Sequence, residues 1–445
     1  MRRRDLLSTS LAAGVATAIA RRAVAQPSLA PAPPPPAPPP PAPPPPAPPP
    51  PALATPPASA TGSALIVPDG RVLTGRKVGG ARVFHLIAEP IRHEVAPGLV
   101  IDTWGYNGGT PGPVIEATEG ERVRIYVTNK LPEATTVHWH GVVVPNGMDG
   151  VAGLTQPTIP PGATWRYEFV LPHAGTFMYH PHVDEMTQIA LGMVGMIVVH
   201  PKRRPTSARR VRDFVLMAHE WKIVPGARRP DPLAMSDFNQ LAWNGKAFPA
   251  TTPLTAATGD LVRIRIGNLG PMDGHPIHLH GHRFTVVETD GGQVPPGARW
   301  PETTVWVPVG AVRVIEFVAD QPGDWPLHCH MTHHAMNQMG HDVPNWLGAD
   351  VRGVDGRIRK LAPGYMTMGT TGMADMMQMD LPDNAISMRG GKGQYGAIDM
   401  GGMFTMVKVR DGLTGEADPG WYAHPAGTVP RAASAAELAG DGIDG

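Results

Sequence analysis

The sequence contains an internal repeat, and this repeat limits the fold more than any other feature. Residues 120–125 return as 259–264, residues 138–141 as 278–281, and residues 175–182 as 323–330. The offset between the copies grows only from 139 to 148 residues. Similarity at a nearly fixed offset is typical of duplicated units. A chain of 445 residues therefore has room for two copies of one domain and for additional segments.

Each copy has the sequence pattern of a β domain. Short alternating or apolar runs are separated by turns rich in Gly and Pro. These runs are Arg122–Val127, Trp165–Val170, Val194–Val199, Leu261–Ile266, Phe284–Glu288 and Val312–Val318. No long amphipathic helix pattern stands out. The predicted fold class is all-β, with two small antiparallel sandwiches or barrels.

The only cysteine lies in a pattern of metal-binding residues. It is Cys329, in His328-Cys329-His330, with His334 and Met339 following shortly after. Neighbouring side chains of an extended strand leave on opposite faces, so the sulfur and the two flanking imidazoles point apart. His275 can join the sulfur from a second strand. A His₂Cys set with a weak axial Met is typical of a blue-copper electron-transfer site.

His-x-His pairs form the second pattern. Four separate pairs stand out: His138 and His140, His180 and His182, His278 and His280, and His328 and His330. By strand parity the two rings of a pair share a face. Eight imidazoles suffice for three copper ions with open positions. One such pair is usually a coincidence, and imidazole alone does not identify the metal. Four pairs beside the sulfur set favour copper.

The two copies differ at the sulfur set. Thr135 stands in the first copy where the second has His275, and Pro181 stands where it has Cys329. Met186 and Leu191 likewise stand in place of His334 and Met339. The first copy is therefore predicted to keep its His pairs and to lack the blue-copper site.

The N-terminus predicts export. Arg2-Arg3-Arg4 precedes a mild apolar stretch and then Ala23-Val24-Ala25, the pattern of a twin-arginine signal peptide, and we expect a periplasmic or secreted protein. The stretch is too short and Ala-rich for a membrane span. The net charge is zero, without a basic stripe for nucleic acid. A single cysteine excludes an internal disulfide.

These patterns divide the chain into five segments. They are a signal peptide (1–25), a Pro/Ala-rich linker (26–62), a first domain (63–205), a second domain (206–411) and a C-terminal tail (412–445). The second domain postpones its closing strand until Gly402–Val407, which leaves a Met-rich insertion at about 347–397. Thioethers favour Cu(I), but Met is also a flexible apolar filler, so the role of this insertion stays open.

The four His clusters resemble those of multicopper oxidases. The resemblance covers about residues 80–345 and 397–411 and implies cupredoxin-like Greek-key domains. The separation of His138 from His328 leaves no room for a middle domain. The chain is thus similar to two-domain, laccase-like members with the type 1 copper in the second domain. Such members typically assemble as homotrimers, with each trinuclear cluster between two subunits.

The resemblance also implies a role for each ligand, with four coppers per chain. The type 1 copper takes His275, Cys329, His334 and Met339, and the type 2 copper takes His138 and His278. The type 3 pair takes the remaining ligands: His140, His180, His182, His280, His328 and His330. Asp149 matches an acidic residue that serves proton delivery, although Met-Asp-Gly is also an ordinary turn. Ala335 stands where some members have a glutamate, which leaves out one known proton route.

Three classes of function follow from these patterns. The first is an oxidase that takes electrons from Cu(I), a phenol or Mn(II), passes them from Cys329 to the His pairs and reduces dioxygen to water. The second is a copper-sequestering protein without turnover, although storage needs no electron relay. The third is a copper nitrite reductase, for which eight paired imidazoles are superfluous.

Overall fold

The computed structural model describes residues 65–203, 207–224, 226–337, 360–361, 383–388 and 390–443. The predicted signal peptide, the whole predicted linker, Met339 and most of the Met-rich insertion lie outside the described residues. The domain boundaries given above stay a prediction.

The first domain contains two sheets. Its strands are β1 (Val72–Leu73), β2 (Arg76–Val78), β3 (Ala81–Ala96), β4 (Leu99–Tyr106), β5 (Val114–Thr118), β6 (Arg122–Asn129), β7 (Thr164–Val170), β8 (Gly175–Tyr179) and β9 (Gly195–His200). One sheet has the order β1-β5-β9-β8. The other has the order β2-β3-β6-β7, with β4 also paired to β3. A short helix, α1 (Glu185–Ala190), follows β8.

The second domain repeats this arrangement. Its strands are β10 (Val211–Trp221), β11 (Gln240–Trp243), β12 (Leu254–Ala257), β13 (Leu261–Asn268), β14 (His275–Leu279), β15 (Phe284–Thr289), β16 (Gly292–Gln293), β17 (Pro301–Glu302), β18 (Thr304–Val307), β19 (Ala311–Val318), β20 (Gly323–Cys329), β21 (Lys392–Gly393), β22 (Gly396–Ala397) and β23 (Phe404–Arg410). One sheet has the order β11-β10-β13-β19-β15-β16, with β17 on β15, and the other β12-β23-β20-β14-β18. Strands β21 and β22 pair only with each other, and helix α2 (Ala435–Gly440) lies in the tail.

The all-β prediction is confirmed, and all six predicted runs lie in or almost wholly in strands. The postponed closing strand is also present, because β23 pairs with β20 as β9 pairs with β8. No helix among the described residues is both long and apolar enough to cross a membrane.

Each domain has its own apolar core, and a third apolar cluster lies between the two domains. In this third cluster Met178 and Met196 of the first domain pack with Met217, Val312 and Val314 of the second. Strand β9 is buried along its whole length because one face lines its own core and the other faces the second domain. The two domains are thus held together through β8 and β9, and a fourth apolar cluster joins Leu99 and Ile101 of β4 to Trp221 of β10.

A buried ion network crosses the same interface. Arg265 donates to both carboxylate oxygens of Asp213 at 2.7 and 2.9 Å, and to Thr176 of the first domain at 2.6 Å. Glu288 accepts from Thr176 at 3.1 Å and lies 3.3 Å from Arg265. The side chains of Arg265 and Asp213 are each only 4% exposed. Charges this deeply buried need such complete pairing.

Candidate metal centre

One sulfur and two imidazoles meet inside the second domain. The Sγ atom of Cys329, at the end of β20, lies 3.7 Å from Nδ1 of His275 on β14 and 3.6 Å from Nδ1 of His334. The two Nδ1 atoms are 3.2 Å apart. Strand pairing produces this arrangement, since Cys329 lies opposite Ile277 and the short 3₁₀ turn Thr332–Ala335 carries His334 back. The three donor atoms lie within 4.8 Å of one another.

Four imidazoles gather at one end of the first domain, and we call them the first half-cluster: His138, His140, His180 and His182. His138 and His180 form a β-bridge, which holds the two segments of the chain together at this point. Nδ1 of His140 lies 3.3 Å from Nε2 of His180. The donor atoms of His138, His140 and His180 are close enough to hold one metal ion.

Hydrogen bonds determine which ring nitrogens face the centre of this half-cluster. His138 donates from Nδ1 to the carbonyl of Asp149 at 2.7 Å, and His180 donates from Nδ1 to the carbonyl of Pro181 at 2.8 Å. His140 is reversed, because its Nε2 donates at 2.8 Å to the carbonyl of Gly310 in the second domain. A carbonyl only accepts, so the opposite nitrogen of each ring keeps its lone pair. The metal-facing atoms are therefore Nε2 of His138 and His180 and Nδ1 of His140.

Asp149 lies directly beside the first half-cluster. Besides its carbonyl contact, its carboxylate oxygen lies 3.4 Å from Nδ1 of His138, and its side chain is 32% exposed. The neighbouring Gly150 has φ +84, and a Cβ there would lie only 1.9 Å from the carbonyl oxygen of Val137. Only glycine allows this close approach. The Met-Asp-Gly turn thus places the carboxylate of Asp149 next to the histidines.

The second domain carries an equivalent group, the second half-cluster: His278, His280, His328 and His330. Nε2 of His280 lies 3.2 Å from Nε2 of His328. His278 donates from Nδ1 to the carbonyl of Thr303 at 2.7 Å, and His328 donates from Nδ1 to the carbonyl of Cys329 at 2.8 Å. In both rings Nε2 is therefore the nitrogen that keeps its lone pair for a metal.

The two half-clusters are separate within this chain. All eight rings are described, and every stacked or edge-on contact among them joins rings of the same half. His280 and His330 are exposed. Exposed apolar side chains adjoin both halves in sequence or in strand register, and they include Val143, Trp306, Val309 and Met331.

Burial keeps several of the candidate metal-binding side chains neutral. Burial, followed by the nearby imidazoles, lowers the pKa of His275 to about 3. Burial also lowers the pKa of His180 to about 3 and that of His328 to about 4, each against a backbone hydrogen bond that acts in the opposite direction. For Cys329 burial raises the pKa to about 12. Metals bind neutral imidazole, so the histidines are ready for a metal, whereas the thiol has to lose its proton.

These donors fit copper. In the first half-cluster two ring nitrogens without protons face each other at 3.3 Å, an arrangement that a cation between them stabilises. A thiolate with two imidazoles selects a soft first-row ion, and this set is typical of a blue-copper site. The residue that sequence reasoning missed is Glu220, whose carboxylate lies 3.7 Å from Nε2 of His275.

Comparison with known proteins decides the family. Two multicopper oxidase family models match, one at residues 91–204 and the other at residues 225–345, which together make up more than half of the chain. The chain belongs to the multicopper oxidase family. A blue copper oxidase from Nitrosomonas europaea of known structure is similar over 74% of this chain and 85% of its own, with 26% identity and a TM-score of 0.55.

Two curated relatives of this multicopper oxidase are named for different functions. One, from Kuenenia stuttgartiensis, is a probable nitrite reductase-hydroxylamine oxidoreductase fusion protein, 30% identical over 61% of this chain and 32% of its own length. The other is copper resistance protein A of Pseudomonas syringae pv. tomato, 38% identical over 26% of this chain and 18% of its own length. The chain spans about a third or less of the length of these relatives. Family membership implies a copper cofactor.

Proposed function

We propose that this multicopper oxidase couples the one-electron oxidation of a small reductant to the four-electron reduction of dioxygen to water. One observation carries the proposal. The sulfur of Cys329 joins the buried set of His275 and His334, while the residues on either side of it, His328 and His330, belong to the second half-cluster. A single tripeptide therefore takes part in both sites.

The proposed ligand roles follow the family resemblance. His275, Cys329, His334 and Met339 hold the type 1 copper, and Met339 lies outside the described residues. His138 and His278 hold the type 2 copper, and the other six histidines of the half-clusters hold the type 3 pair. Copper bound there supplies one-electron transfer and the reduction of dioxygen.

The protein supplies position, a covalent route and protons. Peptide bonds join Cys329 to both neighbouring histidines, so a short route leads from the sulfur to the second half-cluster. The carbonyls that orient His138, His140 and His180 fix the tautomer of each ring. We assign proton delivery to Asp149, because its carboxylate is partly exposed and lies 3.4 Å from His138.

We propose Cu(I) as the reductant, ahead of a phenol or Mn(II). The Nε2 atom of His334 lies 3.5 Å from the carboxylate of Asp273, which is 35% exposed. The neighbouring Met272 is 53% exposed. The thioether favours the soft Cu(I) ion, and the carboxylate favours a cation over an uncharged phenol. The copper resistance relative also favours this choice. Mn(II) is the second candidate, because the same carboxylate suits a hard cation.

We further propose that the protein acts as a homotrimer, exported through the twin-arginine route. Each half-cluster alone offers too few imidazoles for three coppers, and the halves do not touch within one chain. The exposed rings of His280 and His330 and the exposed Met331 and Trp306 would be covered if two copies met here. Exposed apolar side chains in such a group favour an interface.

Oxygen uptake by copper-loaded protein tests the proposal. Uptake is compared with Cu(I), a phenol and Mn(II) as the reductant, for the natural protein and for Cys329→Ser. We expect uptake with Cu(I) and none in the variant, which should still bind copper at its His pairs. Steady turnover in Cys329→Ser would contradict the electron route. Copper binding without any oxygen uptake in the natural protein would instead support sequestration.

A nitrite reductase is the alternative that the Kuenenia relative suggests. That reaction needs one further mononuclear copper, and the two half-clusters bring eight imidazoles. Nitrite-dependent oxidation of the reductant without oxygen would favour it over the oxidase.

A further inference from the structure

Glu220 is a buried carboxylate with one oxygen engaged and one free. It lies near the end of β10, and its side chain is fully buried. One oxygen, Oε1, accepts from the backbone N–H groups of Met272 and Asp273 at 2.9 and 2.8 Å. The other, Oε2, faces Nε2 of His275 at 3.7 Å. Neither Oε2 nor this Nε2 has a hydrogen-bond partner among the described residues.

The two atoms are complementary once His275 binds a metal. Its Nδ1 already faces the sulfur of Cys329, so Nε2 is the nitrogen that keeps the proton. A buried N–H without an acceptor is destabilising, and metal-binding histidines commonly donate this proton to a carboxylate. The side chain of His275 is fully buried, so bulk water does not reach this N–H group. The Oε2 atom of Glu220 is the nearby acceptor.

The repeat provides an internal comparison. Strand β10 pairs with β13 as β3 pairs with β6, and Ala218 opposite Asn268 corresponds to Ala88 opposite Asn129. Two residues further along, Pro90 therefore stands in the first domain where the second has Glu220. The first domain also lacks the histidine, and its Thr135 donates at 2.7 Å to Gln188 from helix α1 instead. The carboxylate is present only in the copy that has the histidine.

We propose that Glu220 is a positioning residue for His275. It accepts the Nε2 proton, fixes the tautomer and the ring orientation of this ligand, and raises the basicity of the nitrogen that binds the metal. Its second task is to anchor the loop before β14 through Met272 and Asp273. This inference rests on the proposed type 1 role of His275.

Two substitutions separate these tasks. In Glu220→Gln the amide oxygen can still accept from the loop, but the amide nitrogen that replaces Oε2 can only donate. In Glu220→Ala both contacts are lost. We expect copper affinity at the sulfur site of Glu220→Gln to fall about 10- to 100-fold, with a thermal midpoint of the metal-free protein close to that of the natural protein. Glu220→Ala should lower both the copper affinity and the thermal midpoint of the metal-free protein.

Affinity is measured by titration of the copper–thiolate absorption against a competing chelator, and the electron paramagnetic resonance spectrum reports the ligand geometry. Glu288→Gln is the matched control, because it makes the same change, carboxylate to amide, at another buried glutamate of the same domain. Glu288 belongs to the interdomain network and not to the sulfur site. It should leave the absorption and the affinity unchanged. Natural affinity and spectrum in Glu220→Gln would overturn the proposal and leave only a loop anchor. No copper–thiolate absorption in the natural protein would instead refute the type 1 site.

Discussion

Copper capture by Cys329 should depend strongly on pH. The cysteine is fully buried, and burial, opposed by a backbone hydrogen bond from Met331 and aided by Glu220 and Asp273, raises its pKa to about 12. At pH 7 the thiol is about five pH units below this pKa, so roughly one molecule in 10⁵ carries a thiolate. Ionising it costs about 7 kcal/mol, which metal binding has to offset.

The affinity for copper should therefore rise at least tenfold for each pH unit between about pH 6 and pH 9. The imidazoles contribute little, because the pKa of His275 is about 3 and that of His334 is also lowered by burial. Burial raises the pKa of Glu220 to about 8, so release of its proton can only steepen the dependence below that pH.

Competition with a chelator of known pH dependence, followed through the copper–thiolate absorption, measures this slope. Copper binding by Cys329→Ser is the control, since no thiol has to ionise in it and its affinity should be nearly constant above about pH 8. A natural protein whose affinity stays constant from pH 6 to pH 9 would refute the reasoning, because its thiol would already be ionised without metal.

Three further outcomes follow from the structure. Burial lowers the pKa of His275 to about 3 and that of His219 to about 4, so on acidification the unfolded chain binds protons before the folded protein does. The free energy of unfolding of the metal-free protein, measured by urea unfolding, should therefore fall by about 2 kcal/mol per histidine between pH 6.5 and pH 5. Arg265→Met leaves Glu288 without its cationic partner and Asp213 with Arg263 alone, and it should destabilise the protein by about 3–5 kcal/mol. The exposed Arg431→Met should leave the stability nearly unchanged, and similar losses in the two variants would contradict the role of the network. Asp149→Asn should slow oxygen uptake by about 10²-fold or more at unchanged copper content, and an unchanged rate would exclude it as the proton donor.

Strand parity was enough to predict how the ligands divide between two faces. It placed the sulfur of Cys329 with His275 and the flanking rings with the pairs, and the distances of 3.7 Å from Sγ to His275 and 3.2 Å between His280 and His328 agree with it. The argument works because a period of two is a local property of every strand. The six apolar runs were recognised as strands for the same reason.

Contacts between distant strands were beyond such reasoning. Glu220 carries no spacing signal, since it precedes His275 on a strand of the other sheet, and only the fold brings them to 3.7 Å. The reversed ring of His140 was equally hidden, because its partner is the carbonyl of Gly310 in the other domain. The sequence pattern also did not indicate strand β3, which contains Pro90. Proline is tolerated there because that part of the strand pairs with β4 alone.

The way in which the two domains pack also bears on why one chain leaves its half-clusters apart. The first domain uses the outer face of β8 and β9 to contact β13 and β19 of the second, where the ion pair of Arg263 and Glu316 lies. The repeat gives the first domain the same pair, Arg124 with Glu168, on β6 and β7 of its other sheet. On the second domain the counterpart of β8 is β20, and the C-terminal segment reaches it, because Tyr422 donates its backbone N–H to Asp324 at 2.8 Å. Among the described residues, His280 and His330 at this end of the second domain are exposed, so in the proposed trimer a neighbouring copy would meet the chain at these histidines.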